Sequence, residues 1–189
     1  MLNIDIGGAK HIRVMNGLWK IMDINKKADY VYDINSGKKI KLKDNLVDNI
    51  YTSMTLEHIK PSLQLFFLSE LKRILKPNGL IRIIVPDGLI AINWYLNEPK
   101  KLRQKGNPSK PDFYPDTKMG RLLAWFFTED RKNSSGHKMS FDMETLNWLL
   151  NKVGFKNIKR LKYNECSPIF KGKDYERYME YSIYVELNK

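Results

Sequence analysis

The sequence predicts an α/β protein with a doubly wound sheet of seven strands, mostly parallel, in which the last strand runs antiparallel. Two observations lead to this fold class. Strand-like runs of apolar residues alternate with amphipathic helical patterns through the first half of the chain. The joints between them are short, which favours right-handed crossovers and helices on both faces of the sheet.

The first half contains five predicted strands, each a short apolar run bounded by turn-forming residues. The last of them is the richest in β-branched residues, and Pro86 ends it because proline has no N–H to donate to a ladder. The five ranges are 2–6, 19–22, 30–34, 47–54 and 80–85.

A clear helix precedes the fifth strand. Its apolar face repeats at the 3.6-residue period and consists of Leu63, Phe67, Leu71 and Ile74. The segment Pro77-Asn78-Gly79 follows this helix. We expect Gly79 to adopt the left-handed conformation in the turn that leads into the strand.

The second half begins with a helical insertion, residues 88–135, whose aromatic run 125–127 is expected to lie in a core. An amphipathic helix then ends at Gly154. Two strands, 158–163 and 181–187, follow as a hairpin-like pair. The length of 189 residues fits a single domain spanning residues 1–189.

The composition excludes several classes of protein. Apolar residues make up 42% of the chain, so it is neither a disordered tail nor a membrane protein. No apolar run approaches the ~20 residues of a membrane span, and the first residues carry no export signal. The single cysteine, Cys166, excludes an internal disulfide and a cysteine-rich zinc site. We therefore expect a cytoplasmic protein.

The net charge of +12 raises nucleic acid, anionic lipid or an acidic ligand as partners. The charge is spread almost evenly, with +5 in residues 1–87, +4 in residues 88–135 and +3 in residues 136–189. This spread makes nucleic acid possible but does not favour it. One local cluster of lysines and arginine, at 100–110, is compatible with an acidic partner such as a sugar acid, a phosphorylated glycan or RNA.

Acidic residues stand at or near the ends of the first three predicted strands, at positions where an α/β sheet binds ligands. Asp5 is followed by the turn Gly7-Gly8, Asp23 closes the second strand and Asp33 lies in the third. Ligands bind outside the carboxyl ends of such strands, where the strand order reverses. A glycine turn exposes backbone N–H groups, and an acidic residue can accept the hydroxyls of a ribose. Because the phosphate-binding loop G-x-x-x-x-G-K-[ST] is missing, a nucleoside without phosphates fits best.

The sequence resembles the class I S-adenosylmethionine (SAM)-dependent methyltransferases, specifically a small bacterial group close to methyltransferase type 11. The resemblance covers most of the chain except about 98–135, and its most specific elements are Leu56-Glu57-His58, Leu75-Lys76-Pro77-Asn78-Gly79 and Val85-Pro86-Asp87. It implies a Rossmann-like fold, methyl transfer, SAM as cofactor and S-adenosylhomocysteine as product.

The resemblance also implies a role for each residue at the cofactor site. Asp5, Gly7 and Gly8 match the loop that holds the methionine part of SAM. Asp23 matches the residue on the ribose, and Asp33 matches the one facing the adenine amine.

Two further segments match the region between cofactor and acceptor. Thr52 and Ser53 match the end of strand four, beside the methionine part, and Glu57 and His58 follow at the rim where the acceptor enters. His58 is the preferred general base, because its ordinary pKa near 6.5 suits proton transfer at neutral pH. His137 and Glu57 are further catalytic candidates, although a structural role stays open for all three. Residues 88–135 are expected to form a lid over the acceptor.

Alternatives remain at this point. Some quinone-modifying relatives hold a metal through Glu-x-x-Glu-His, but Met54 stands at the first glutamate, so we expect no metal site. The acceptor is expected to be a small molecule or glycan-like, and RNA is the second enzyme hypothesis. Ala9 and His11 replace two loop glycines, which leaves open a non-catalytic SAM-binding partner subunit. A homodimer is also possible.

Overall fold

A computed structural model describes residues 1–7, 19–105, 116–127 and 136–189 of the protein. Its helices are α1 (Gln64–Ile74), α2 (Gly88–Asn97), α3 (Pro99–Lys105), α4 (Lys118–Phe126) and α5 (Met143–Val153). Its strands are β1 (Asn3–Ile6), β2 (Trp19–Asp23), β3 (Tyr30–Val31), β4 (Val47–Ser53), β5 (Leu75–Pro86), β6 (Lys156–Leu161) and β7 (Ser182–Asn188). Each strand and helix predicted from the sequence is present, with ends shifted by a few residues.

The strands form one sheet in the order β3-β2-β1-β4-β5-β7-β6. The neighbours from β3 to β5 are parallel, whereas β7 is antiparallel to both β5 and β6. The predicted seven-stranded, mostly parallel sheet with an antiparallel last strand is therefore confirmed. Strand order reverses between β1 and β4, which makes their carboxyl ends the switch point where ligands bind.

One face of the sheet carries the main hydrophobic core. The register aligns Ile4, Ile50, Ile81 and Leu187 in one row across four strands. These residues pack with α1 and α5 through side chains such as Phe67, and all are buried. α5 ends at Gly154, whose φ of 84° lets its N–H bond the carbonyls of the last turn, as the sequence predicts.

The opposite face carries a row of polar side chains that the sequence analysis missed. The register aligns Asp5, Tyr51, Arg82 and Glu186 across β1, β4, β5 and β7. The β6–β7 connection, residues 162–181, covers this row. Arg82 bonds Asp174 of that connection through Nε at 2.9 Å and bonds Glu186 through a terminal nitrogen at 2.9 Å.

The junction between α1 and β5 differs from the sequence prediction. The left-handed residue is Asn78, with φ of 62°, and Gly79 does not have a positive φ. A Cβ at Gly79 would lie 2.8 Å from the backbone oxygen of Asp48 and 2.8 Å from the side chain of Leu75. Close packing against these atoms therefore requires glycine there, and the expectation of a left-handed Gly79 was wrong.

The described part of the insertion forms a second, smaller core. Trp94 of α2 and Trp125 of α4 pack edge to face with Tyr181, with ring centroids 5.2–6.2 Å apart. The expected core position of Trp125 is confirmed, but Phe127 is 47% exposed and lies outside this core. Among the residues described, no helix combines the length and apolarity needed to cross a membrane.

Candidate functional site

The turn after β1 requires glycine. Gly7 has a φ of 80°, and its N–H bonds the carbonyl of Met22 on β2 at 2.9 Å. A Cβ at this position would collide with the hydroxyl of Thr55, which itself donates to the carbonyl of Ile6 at 3.1 Å. The loop after β4 therefore seals the turn from one side. Gly8, the second predicted glycine, lies outside the described residues.

The two acidic residues predicted for the nucleoside lie at the same edge of the sheet. Asp23 ends β2, and Asp33 follows β3 by two residues. In each, Oδ1 accepts the backbone N–H two residues later, Asn25 or Asn35, at 2.8 Å. Within the described residues, the second oxygen accepts no hydrogen bond, so each carboxylate is oriented and one oxygen remains available to a ligand.

The end of β4 presents buried hydroxyls. Thr52 is fully buried, and Ser53 is the last residue of the strand. Neither hydroxyl has a hydrogen-bond partner within the described part of the chain. Thr52 is in register with Ile6, so this strand end lies directly beside the Gly7 turn.

Asp5 makes a contact that sequence reasoning did not find. Its Oδ2 lies 2.8 Å from Nζ of Lys173, and the side chains are 17% and 5% exposed. Lys173 also lies over the rings of Trp19 and Tyr51, with Nζ 4.2 and 4.7 Å from their centroids. Asp5 therefore binds the covering β6–β7 connection, beside the turn that begins at Gly7.

Glu57 is a buried carboxyl group on a 3-10 turn, Leu56–His58, that follows β4. Its side chain is 1% exposed, and burial raises its pKa from the ordinary 4.5 to about 8. Neither carboxylate oxygen accepts a hydrogen bond within the described residues. The backbone carbonyl of Glu57 accepts the N–H of Lys138 at 2.7 Å, which ties the turn to the segment after the insertion.

The same contact brings His137 to His58, so the structure assembles all three predicted catalytic residues. The two imidazole rings lie 4.9 Å apart, and His58 Nε2 lies 3.9 Å from Glu57 Oε1. His137 Nδ1 lies 2.8 Å from the carbonyl of Trp125. Because a carbonyl only accepts, Nδ1 carries the hydrogen, and Nε2 of the neutral ring carries the lone pair. Burial lowers the pKa of His137, which favours this neutral form.

The structure adds three residues to the site that the sequence analysis did not assign to it. Thr55 supports the glycine turn, the Trp125 carbonyl orients His137, and Lys173 holds Asp5. Trp125 was predicted only as a core residue. No local pattern marks the other two, because each acts on a residue that is distant in the chain.

The sheet order, the glycine turn and the acidic strand ends together define a Rossmann-like methyltransferase fold of class I. The chain belongs to the methyltransferase domain family, whose model matches residues 4–160. It is therefore an enzyme of the methyltransferase class, and the predicted family and fold are confirmed. No curated protein matches the sequence significantly.

Solved structures share this fold at low sequence identity. A SAM-dependent methyltransferase from Archaeoglobus fulgidus is 18% identical with a TM-score of 0.57, covering 100% of this chain and 86% of its own. A SAM-dependent methyltransferase from Methanosarcina mazei is 13% identical with a TM-score of 0.57, and the match covers 100% of this chain and 92% of that protein. A complex of the Haloferax volcanii Trm112 methyltransferase activator with a methyltransferase gives 12% identity and a TM-score of 0.52. That match covers 99% of this chain and 81% of the matched chain.

Proposed function

We propose that the enzyme transfers the methyl group of SAM to a small-molecule or glycan-like acceptor and releases S-adenosylhomocysteine. One observation carries this proposal. Within the described residues, the hydroxyls of Thr52 and Ser53 and both carboxylate oxygens of Glu57 are buried without hydrogen-bond partners, all at the switch point of the sheet. Buried polar groups in proteins are almost always paired. Such a concentration of them is expected where a polar ligand completes the bonding.

The donor occupies the edge formed by β1 to β4 in this proposal. Gly7 turns the chain into the loop that faces the methionine part, and Gly8 follows it in the sequence. Asp23 binds the ribose hydroxyls, and Asp33 accepts from the adenine amine. Hydrogen bonds to a charged carboxylate contribute about 1.5–3 kcal/mol each, so both contacts are expected to add measurably to affinity.

The acceptor approaches from the side of Glu57, His58 and His137. Its oxygen or nitrogen attacks the methyl carbon, the carbon–sulfur bond breaks with its electron pair on sulfur, and the acceptor proton passes to His58. The His58 side chain is 29% exposed and can meet an acceptor arriving from solvent, whereas Glu57 is buried behind it. SAM already carries an activated methyl group, so alignment and proton removal are the tasks left to the protein.

An acidic acceptor is favoured by the charge of the insertion. A cavity of about 290 Å³ is lined by Pro99, Lys100, Leu102, Lys118 and Arg121. Arg121 is partly neutralised by Asp116, whose carboxylate lies 2.6 Å from its Nε. The lysines supply the remaining positive charge. We place the acceptor beside this cavity, under a lid to which the described parts of the insertion, residues 88–105 and 116–127, contribute, in a single cytoplasmic domain of residues 1–189; the rest of the expected lid, 88–135, lies outside the described residues.

Isothermal titration with SAM and with S-adenosylhomocysteine tests the donor site. We expect micromolar binding that falls at least tenfold in Asp23→Ala. Asp44→Ala is the matched control, because it removes the same charge at the amino end of β4, and it should bind like the wild type. Equal binding by all three proteins would refute the role of Asp23. No binding by the intact protein would favour a site completed by a second subunit.

Turnover with candidate acceptors tests the acceptor site. His58→Asn should lower kcat by about 10²–10⁴-fold while the Kd for SAM stays unchanged. An unchanged kcat would exclude His58 as the base. Acidic sugars should give a lower KM than neutral sugars, and Lys118→Glu should remove that difference. Preference for RNA, with binding that weakens steeply as salt rises, would instead support the RNA hypothesis.

A further inference from the structure

The three residues at the acceptor side form a group with the composition of a metal site. Glu57 and His58 come from the turn after β4, and His137 comes from the segment after the insertion. One ligating atom from each residue lies within 4.8 Å of the other two. In a tetrahedral site with bonds of about 2.1 Å, the ligand atoms are about 3.4 Å apart. Small side-chain rotations would therefore bring all three onto one ion.

The carboxylate of Glu57 points independently to a positively charged ligand. It is 1% exposed, and within the described residues neither oxygen accepts a hydrogen bond. Buried polar groups without a hydrogen-bond partner are unfavourable, and a cation bound to the carboxyl oxygens would remove that cost. Nε2 of His58 lies 3.9 Å away, beyond hydrogen-bond distance. A divalent cation between the carboxylate and the imidazoles would supply the missing partner.

The surroundings of His137 match those of a metal-binding histidine. Such histidines usually donate their second ring N–H to a carbonyl or carboxylate, which fixes the tautomer and the ring orientation. His137 donates its Nδ1–H to the carbonyl of Trp125 at 2.8 Å, so the ligating lone pair of the neutral ring is on Nε2. The bond from Lys138 N–H to the Glu57 carbonyl at 2.7 Å holds the two ligand segments together.

We propose that Glu57, His58 and His137 form a binding site for one divalent cation of the zinc class. Two imidazoles and one carboxylate suit borderline cations such as Zn²⁺ and Co²⁺ better than Ca²⁺ or Mg²⁺, which prefer oxygen ligands. This proposal departs from the expectation of no metal site, which was drawn from the sequence because Met54 replaces the first glutamate of the Glu-x-x-Glu-His pattern. The third ligand is supplied by a distant segment.

The proposal rests on the proposed function only in placing the cluster on the acceptor side. A cation would engage the lone pairs that a general base needs. The group of Glu57, His58 and His137 can therefore either bind a cation or supply the general base, but not both at the same time. Cation binding is measured without SAM or acceptor, and SAM binding is titrated separately on the same samples. The two proposals can therefore fail independently.

The test uses untagged protein, treated with a chelator and dialysed, and titrated with Zn²⁺ and with Co²⁺. We expect one equivalent to bind with micromolar or tighter affinity, and Co²⁺ to give a visible absorption band. Glu57→Gln and His137→Gln should each weaken Zn²⁺ binding by about 100-fold or more, since loss of outer-shell partners alone costs 10–100-fold. Absence of saturable binding would overturn the proposal.

Two controls separate this site from incidental binding. Cys166→Ser removes the only thiol of the chain, and His11→Gln removes the only other histidine. Both variants should bind Zn²⁺ like the wild type. If either control lost binding while Glu57→Gln retained it, the proposed ligand set would be wrong.

Thermal unfolding provides a readout that does not depend on spectroscopy. Zn²⁺ should raise the Tm of the wild type, because a ligand that binds only the folded state stabilises it. The Glu57→Gln variant should show no such rise. Without metal, its Tm should stay close to that of the wild type, because an amide of nearly the same size and shape replaces the carboxyl group in the same buried place. Equal Zn²⁺-induced shifts in both proteins would contradict the proposal.

Discussion

Nζ of Lys173 lies 2.8 Å from Oδ2 of Asp5, although the two residues are 168 positions apart in the chain. The ion pair links the β6–β7 connection to β1, two residues before the Gly7 turn. It is enclosed by the rings of Trp19 and Tyr51. The acidic residue that the resemblance assigns to the cofactor loop thus also anchors the cover of the sheet.

Breaking this pair should destabilise the fold. Lys173→Met leaves the carboxylate of Asp5 without its cation and is expected to lower the free energy of unfolding by about 3 kcal/mol. Urea unfolding measures the effect. Asp5→Asn combined with Lys173→Met should cost less than the sum of the single variants, because the pair is then removed together. Strict additivity would show that the two side chains do not interact.

A second buried pair allows a comparison with a surface pair. Arg82 and Asp174 are both fully buried, so Asp174→Ala should lower the free energy of unfolding by about 3–5 kcal/mol. Lys20→Ala breaks an ion pair with Asp29 whose side chains are 52% and 38% exposed, and should cost less than about 1 kcal/mol. Similar losses in the two variants would refute the structural role of the buried pair.

Alanine substitutions at Gly7 and Gly37 distinguish the cost of backbone strain from the cost of a steric clash. Both have positive φ, 80° and 63°, so alanine is expected to cost about 1–2 kcal/mol at either position. At Gly37 the nearest atom to an added Cβ is 3.6 Å away, on Leu63, whereas at Gly7 the Cβ meets the Thr55 hydroxyl. Gly7→Ala should therefore cost more stability and lower SAM affinity at least tenfold, as titration would measure. Equal effects of the two substitutions would contradict this account.

Acid should weaken the fold partly through Glu70. Its carboxylate bonds Arg73 at 2.7 and 2.8 Å and accepts the N–H of Ile40, and the hydrogen bond from Arg73 holds its pKa below the ordinary 4.5. Below pH 4.5 the unfolded chain binds the proton first, so this stabilisation is complete above that pH and is lost as pH falls through the folded pKa. Glu70→Gln should lower stability at pH 7 and flatten the acid slope.

Urea unfolding from pH 7 down to pH 3.5 measures this dependence. Asp44→Ala, which removes an exposed partner of the same arginine, is the control and should leave most of the slope in place. An unchanged slope in Glu70→Gln would mean that other carboxylates account for the acid sensitivity.

The sequence by itself determined the fold class, the succession of strands and helices along the chain and which polar residues stand at the strand ends. The reason is local: β-branched runs and the 3.6-residue period are readable over a few residues, and carboxyl ends of parallel strands share one edge. Asp23, Asp33 and Gly7 lie where this argument places them. Gly79 shows its limit, because its lack of a Cβ serves a contact with Asp48 rather than a backbone turn.

Only the tertiary structure decided which distant side chains meet. His137 reaches Glu57 because a backbone hydrogen bond joins the segments on either side of the insertion, and Lys173 reaches Asp5 because the β6–β7 connection folds over the sheet. Such contacts depend on register and packing between segments that are remote in sequence, and no local periodicity encodes them. The buried carboxylate of Glu57, like the neutral imidazole of His137, follows from that packing rather than from the residues beside it.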